Sequence, residues 1–303
     1  MAFKLKIPFY AIDAKKLFKK AVVNDFIEEF SSYRTPNPFV RCNQMIKFGW
    51  FLDFIQSLGF NKVATGHYCN IEEEKGVYKL LKGSDTTKDQ SYFLYRLKQE
   101  QLSKIIFPVG KYNKKEVWRI ANQNDIRISN AKESQEICFI GDKDYRDFLK
   151  RYLTKKYFKS GDIVNASGKV LGKHSGLLNY TIGQRKGIET VGIKNENKKP
   201  LYVVGFNIKK NQLIVGEDQL VYKKNMILKD ISWMSDWAEK EAFKIKNLRV
   251  GIRYHHKKIP CLIKKQRKNL LVIFKKPQRA ITPGQSAVFY KENTVLGGGI
   301  ISA

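Results

Sequence analysis

Acidic residues are scarce in this chain. Its 303 residues hold 28 Asp+Glu against 57 Lys+Arg, a formal charge of +29. A polyanionic partner is the simplest reading of that imbalance, because basic surface releases counterions from a phosphate backbone. Codon bias is the competing reading, since the chain is rich in Lys, Ile and Asn. Long apolar runs are also missing: no stretch reaches the roughly 18 residues of a membrane span. The opening Met1–Tyr10 has no apolar run long enough for a signal peptide. No basic amphipathic helix stands out, which disfavours an acidic membrane surface as partner. A cytoplasmic protein with no membrane partner is expected. Cysteine is sparse, with Cys42, Cys69, Cys138 and Cys261 and no C-x-x-C pair. The four histidines do not complete zinc spacing, so no metal site is expected. Scattered cysteines in a cytosolic chain read as free thiols. Any single one reads first as a small buried hydrophobe.

What is present is enough to build cores. The chain is 43% hydrophobic and 13% aromatic, which argues against disorder. At about 150 residues per domain, its length suggests two or three domains. Phe51, Phe54, Ile55 and Leu58 follow helical spacing and Gly59 stops the helix. Lys62–Thr65 reads as a short strand ending at Gly66-His67. Asn113 with Glu116 reads as a capping box. Ile137–Ile140 is a second strand candidate, and Tyr145, Phe148, Leu149 and Tyr152 form a helical stripe. Strand–helix alternation implies a parallel sheet with helices on its faces. Ligands bind at the C-terminal ends of such strands, where Gly66-His67 sits.

The pattern changes after about Leu153. Leu201–Phe206 and Gln212–Val215 flank a polar turn and read as a hairpin. From about Met226 onward short β runs recur: 250–254, 260–264, 270–274, 286–290 and 294–301. Their near-regular spacing predicts a small barrel. The expected fold is therefore α/β: a partial parallel-sheet domain over 1–155, a central β-rich domain over 156–222 and a C-terminal antiparallel barrel over 223–303. Between Glu239 and Arg279 there are 14 Lys+Arg and 2 Asp+Glu, interrupted by Tyr254, His255 and His256. Basic and aromatic groups mixed on a β-rich module suit RNA, where phosphates need charge and splayed bases need stacking faces. A solvated charged face is the alternative.

Six segments carry chemistry. They are Arg34–Asn43 followed by Lys47-Phe48, Ala64–Tyr68, Lys88–Leu94, Ser134–Gly141, Tyr180–Gly187 and Thr282–Ser286. In this order they resemble the tRNA-specific 2-thiouridylase family over nearly the whole chain. The resemblance implies replacement of the C2 oxygen of the wobble uridine by sulfur. That oxygen is a poor leaving group, and the family activates it by adenylation with ATP, with Mg2+ expected beside it. Cys42 is implied as the nucleophile and Cys138 as the carrier of a persulfide sulfur. The two would close a disulfide as the sulfur departs. Arg41 is a neighbour in sequence that could help ionise Cys42. The thiolate is the reactive form. Cys69 and Cys261 match no motif and keep the structural reading.

The resemblance also implies Gly66 at the nucleotide, where a bare backbone allows close approach. It implies tRNA contacts at Asn37, Pro38, Phe39, His67, Lys88, Asp89, Gln90, Arg253, Tyr254 and Gln285. The target base must leave its stack to be modified. The implied partners are tRNA and a sulfur donor, either a cysteine desulfurase or a relay protein. Two departures stand out. The family begins with a strand and a Ser-Gly-Gly-x-Asp-Ser loop that holds ATP phosphates, and the sequence has no such run. An N-terminally incomplete enzyme is therefore expected, with a noncatalytic tRNA-binding fragment as the alternative and an amidotransferase-type ligase as a third class. Phe39 also stands where many members carry Asp.

Overall fold

The computed structural model describes residues 1–126, 137–141, 144–188 and 200–302. The expected α/β architecture is present, with the parallel part much reduced. Val63–Ala64 (β1) pairs in parallel only with Ile105–Ile106 (β4). Between them runs an antiparallel hairpin, Cys69–Glu74 (β2) and Val77–Lys82 (β3). It leaves the N-terminal segment and joins the barrel sheet through Thr294 and Val295.

Helices supply most of the first segment. Asn24–Ser31 buries Phe26 and Phe30, and Tyr145–Tyr152 buries Phe148 and Leu149. These four residues with Val23 form one small core. The Ile137–Ile140 run is a turn, not the strand expected from its apolar residues. Ile137, Phe139 and Ile140 pack on that helical core instead, the Phe139 ring meeting Phe18, Phe26 and Phe148 at 5.2–5.8 Å. Its apolar side chains are half-buried against the helices, while Cys138 between them stays exposed. Residues 7–13 form neither helix nor strand, and Phe9 and Tyr10 are exposed. The capping box forms as the sequence implied. Asn113 Oδ1 accepts from Glu116 N (2.9 Å) and the Glu116 carboxylate from Asn113 N (2.7 Å).

A four-stranded sheet follows: Gly161–Val164 (β5), Val170–His174 (β6), Tyr202–Asn207 (β7) and Gln212–Gly216 (β8), in the order β6-β5-β8-β7. The barrel uses Tyr222–Trp233 (β9), Arg249–Gly251 (β10), Ile259–Gln266 (β11), Asn269–Arg279 (β12), Ser286–Lys291 (β13) and Thr294–Ile301 (β14). The order β13-β10-β11-β12-β9-β14 closes through β13–β14 pairing. Closure removes the exposed edges that an open sheet would present. Ser286–Tyr290 is buried throughout, because the outer side of β13 also meets the first segment. There the Tyr92 hydroxyl donates to the Ser286 carbonyl oxygen (2.8 Å), and the Ser286 and Tyr95 hydroxyls lie 3.3 Å apart. Gly298 makes this approach possible, since a Cβ there would stand 2.8 Å from the Tyr95 ring.

Candidate active site and RNA interface

The site is built around one helix. Asn37 starts it, its side-chain oxygen accepting from Val40 N at 3.3 Å, and Pro38 fills the first turn. Both are suited to a helix start: an Asn cap satisfies an orphan N–H, and proline has none to lose. Pro38–Cys42 is α-helical, Asn43–Trp50 is a π turn, and the helix kinks at Gly49 before Phe51–Ser57. Cys42 is half-buried on it, while Cys138 is exposed on the turn 137–141. Ser134, Gln135 and Glu136 of that motif lie outside the described residues.

The two thiols are far apart in sequence, yet Cys138 lies near enough to influence the Cys42 thiol. The Cys42 thiol is raised above its ordinary value: burial is the main cause, the Lys47 charge offsets part of it, and Cys138 adds to it. Arg41 does not serve Cys42: its guanidinium faces Asp25 at 3.2 Å. Lys47, quoted in the sequence motif without a role, is the cation beside the thiol. The other two cysteines are core residues. Cys69 is fully buried, and Cys261 is pushed up to about 12 by burial.

Gly66 follows β1, and the space where its side chain would stand is open. It can take a ligand against its backbone. His67 is only 7% exposed. Its ring lies between Phe48 and Phe107, with centroids at 5.8 and 5.9 Å, and its Nδ1 shares a 2.8 Å hydrogen bond with the Thr65 hydroxyl. Burial first, then the Lys47 charge, lowers its pKa to about 3. A neutral imidazole in this pocket braces the strand end. Asp89 is also buried, its carboxylate accepting from Gly83 N (3.3 Å) and Ser91 N (3.0 Å). Gln90 Oε1 accepts from Tyr68 N at 3.0 Å. These two brace the loop, whereas Lys88 is half-exposed.

The remaining predicted residues converge on the helix start. Gln285 Nε2 donates to the carbonyl oxygens of Thr35 (3.2 Å) and Pro36 (3.3 Å), and Thr35 N donates to the Pro283 carbonyl oxygen (2.8 Å). Gly284, at φ +91°, lets this loop press against Thr35, whose carbonyl oxygen a Cβ would meet at 2.7 Å. Phe39 keeps 38% of its surface exposed and packs on Phe93 at 5.4 Å. Phe93 in turn meets Tyr254 at 4.4 Å, and Tyr254 meets His255 at 3.8 Å. An aromatic file thus runs from the Cys42 helix to the basic barrel. Arg253 is exposed at its barrel end. Burial of part of its guanidinium, then the nearby Arg279, lowers its pKa. Arg279 is itself paired with Asp218 at 2.9 Å, so Arg253 is the more open of the two cations.

Comparison with known proteins covers this whole arrangement. The tRNA methyl transferase HUP domain family matches residues 1–142. The tRNA methyl transferase PRC-barrel domain matches 146–217, and the aminomethyltransferase beta-barrel domain matches 223–301. The tRNA-specific 2-thiouridylase of Psychromonas ingrahamii is 43% identical over 303 residues, covering 98% of this chain and 81% of that protein. A tRNA-specific 2-thiouridylase of Clostridium botulinum (strain Hall) is 42% identical, over 99% of this chain and 83% of its own. That of Geotalea uraniireducens is 42% identical, over 99% and 78%. The domain names speak of methyl transfer and the relatives' names of thiolation. The relatives match over nearly the whole chain, and their names decide between the two readings. The chain belongs to the tRNA-specific 2-thiouridylase family.

Proposed function

We propose that this chain is a cytoplasmic tRNA sulfurtransferase that places sulfur at C2 of the wobble uridine, with Cys138 as sulfur carrier and Cys42 as its resolving nucleophile. The observation that carries the reading is that Cys42, half-buried on its helix, and Cys138, exposed on the turn 137–141, lie near enough for Cys138 to influence the Cys42 thiol. Once the C2 oxygen is adenylated, the outer sulfur of a Cys138 persulfide would form the new C–S bond as the C2–O bond breaks and the oxygen leaves on AMP. The Cys42 thiolate attacks the inner sulfur, and the persulfide S–S bond breaks. The delivered sulfur gains two electrons, and the two thiols lose them in becoming a disulfide. A thiol reductant must then reopen that disulfide, and a cysteine desulfurase or relay protein must reload Cys138.

Activation is assigned to ATP with Mg2+. Gly66 offers open backbone to the nucleotide, but no Ser-Gly-Gly-x-Asp-Ser run occurs in the 303 residues. None of the site residues described above grips its phosphates. No helix among the described residues is long and apolar enough to cross a membrane, in keeping with a tRNA-directed role. The tRNA would lie over Arg253, Tyr254 and Lys88, with Asn37, Pro38 and Phe39 at the displaced base. Phe39 offers that base a stacking face, a contact that aromatic side chains make at about 1–3 kcal/mol per base. His67, Asp89, Gln90 and Gln285 support this surface from beneath. We divide the chain at 1–155, 156–222 and 223–303, with the β2–β3 hairpin crossing from the first part into the last.

Replacing Cys138 tests the reading. Cys138→Ser is expected to abolish 2-thiouridine formation and to leave tRNA affinity unchanged, measured by nucleoside mass spectrometry and filter binding. Wild-type thiolation in the variant would refute the carrier role. Tight tRNA binding with no thiolation by the unaltered chain would favour a binding role alone.

A further inference from the structure

The two reactive cysteines ride on different hydrophobic cores. The helix that carries Cys42 is seated in the barrel core through Val40, and the π turn after it through Phe48. The turn that carries Cys138 is seated in the small helical core, where the Phe139 ring lies 5.2 Å from Phe26. Packing inside either core leaves the separation of the sulfurs open. Asp25 precedes Phe26 on the helix Asn24–Ser31. Its carboxylate faces Arg41 Nε at 3.2 Å, and Arg41 precedes Cys42. Among the described ion pairs, this one links the elements that rest on the two cores. The pair borders a cavity of about 170 Å3 that Glu29 and Gln44 also line. On that side the Cys42 helix is therefore not packed solid against Asn24–Ser31. Burial raises the Asp25 carboxyl above its ordinary value, and Arg41 is the foremost group opposing that rise.

We propose that Asp25 and Arg41 form a clasp that sets Cys42 at attacking distance from Cys138, both acting as positioning residues. The inference rests on the reading that these two cysteines exchange sulfur. Turned to Asp25, Arg41 leaves the ionisation of Cys42 alone and fixes where its helix stands. With 38% and 33% of the two side chains exposed, the pair adds little to stability. Its effect is geometric, since a misplacement of about 1 Å in a reacting group can cost roughly 10^2-fold in rate.

The test follows thiol exchange without tRNA, with glutathione disulfide as the oxidant. The Cys138 thiolate attacks one of its sulfurs, forms a mixed disulfide and releases one glutathione. The Cys42 thiolate then attacks the Cys138 sulfur, closes the protein disulfide and releases the second glutathione. Mass spectrometry of quenched samples gives the lifetime of the mixed disulfide. Arg41→Met and Asp25→Asn are each expected to lengthen it by about tenfold or more. The double variant should do no worse than either, because both changes break one contact. Arg41→Lys is expected to restore most of the parental rate. In a Cys138→Ser background, Cys42 is the thiol left accessible, since Cys69 and Cys261 are buried. Its alkylation by iodoacetamide should be the same with and without Arg41. Slower alkylation in step with slower closure would overturn the clasp, since the loss would be one of reactivity. Parental closure in both single variants would overturn it and leave the thiol pairing standing. A parent that never closes the Cys42–Cys138 disulfide would overturn both. If Arg41→Met melts below the parent, the exchanged pair Asp25→Arg with Arg41→Asp carries the test. It keeps the contact and is expected to close at nearly the parental rate; closure as slow as in Asp25→Asn would refute the clasp.

Discussion

His67 makes the stability of this protein sensitive to acid in a defined window. Its imidazole is neutral in the fold, with a pKa of about 3 against 6.5 in an exposed peptide. A depressed value means that the unfolded chain takes up the proton first. The stability due to neutral His67 is therefore complete above pH 6.5 and is lost as pH falls from 6.5 toward 3. At 1.36 kcal/mol per unit, the loss is about 2 kcal/mol by pH 5 and about 4 kcal/mol by pH 3. That is a large part of the ~5–15 kcal/mol that holds a typical domain together. His67→Gln removes the titration and keeps an amide that can meet the Thr65 hydroxyl. Urea unfolding midpoints at pH 7, 6 and 5 for the two proteins isolate the effect, because His174 and His256 are lowered by burial in both. The variant is expected to be the less stable at pH 7, with the gap narrowing by about 2 kcal/mol at pH 5. Parallel pH profiles would refute the reasoning and place the His67 ring in contact with water.

Two further outcomes follow from the same geometry. Gly284→Ala forces a side chain onto Thr35 at a φ of +91°, and a melting curve is expected to register about 1–3 kcal/mol of lost stability. Equal melting of variant and parent would show that the loop can withdraw from the helix start. Binding of tRNA, followed by filter retention, is expected to weaken by about 10^3-fold or more between ~50 and ~200 mM salt if six or more phosphates are neutralised. A flat response would remove the barrel as the RNA surface.

Much of the fold is legible in the sequence because its signals are local. The Asn113–Glu116 capping box, the β7–β8 hairpin and the evenly spaced barrel strands each depend on a few neighbouring residues. The misses depend on what lies across space. Ile137–Ile140 has the composition of a strand, but its burial comes from two helices, and no periodicity in four residues could say so. His67 and Asp89 match RNA-facing motif positions, yet each is buried and bonded inside the protein. Chemical type in a motif does not reveal which way a side chain faces. Arg41 shows the same: it adjoins Cys42 in sequence, yet its guanidinium turns to Asp25 rather than the thiol.

The loop Pro283–Gln285 is where the barrel grips the residues that open the Cys42 helix. If the barrel holds RNA and Cys42 is the nucleophile, as proposed, the two tasks share a single joint, and a barrel seated askew would also mis-aim the thiol. Such a coupling favours a substrate engaged along its whole length over a loose uridine that reaches the thiols alone.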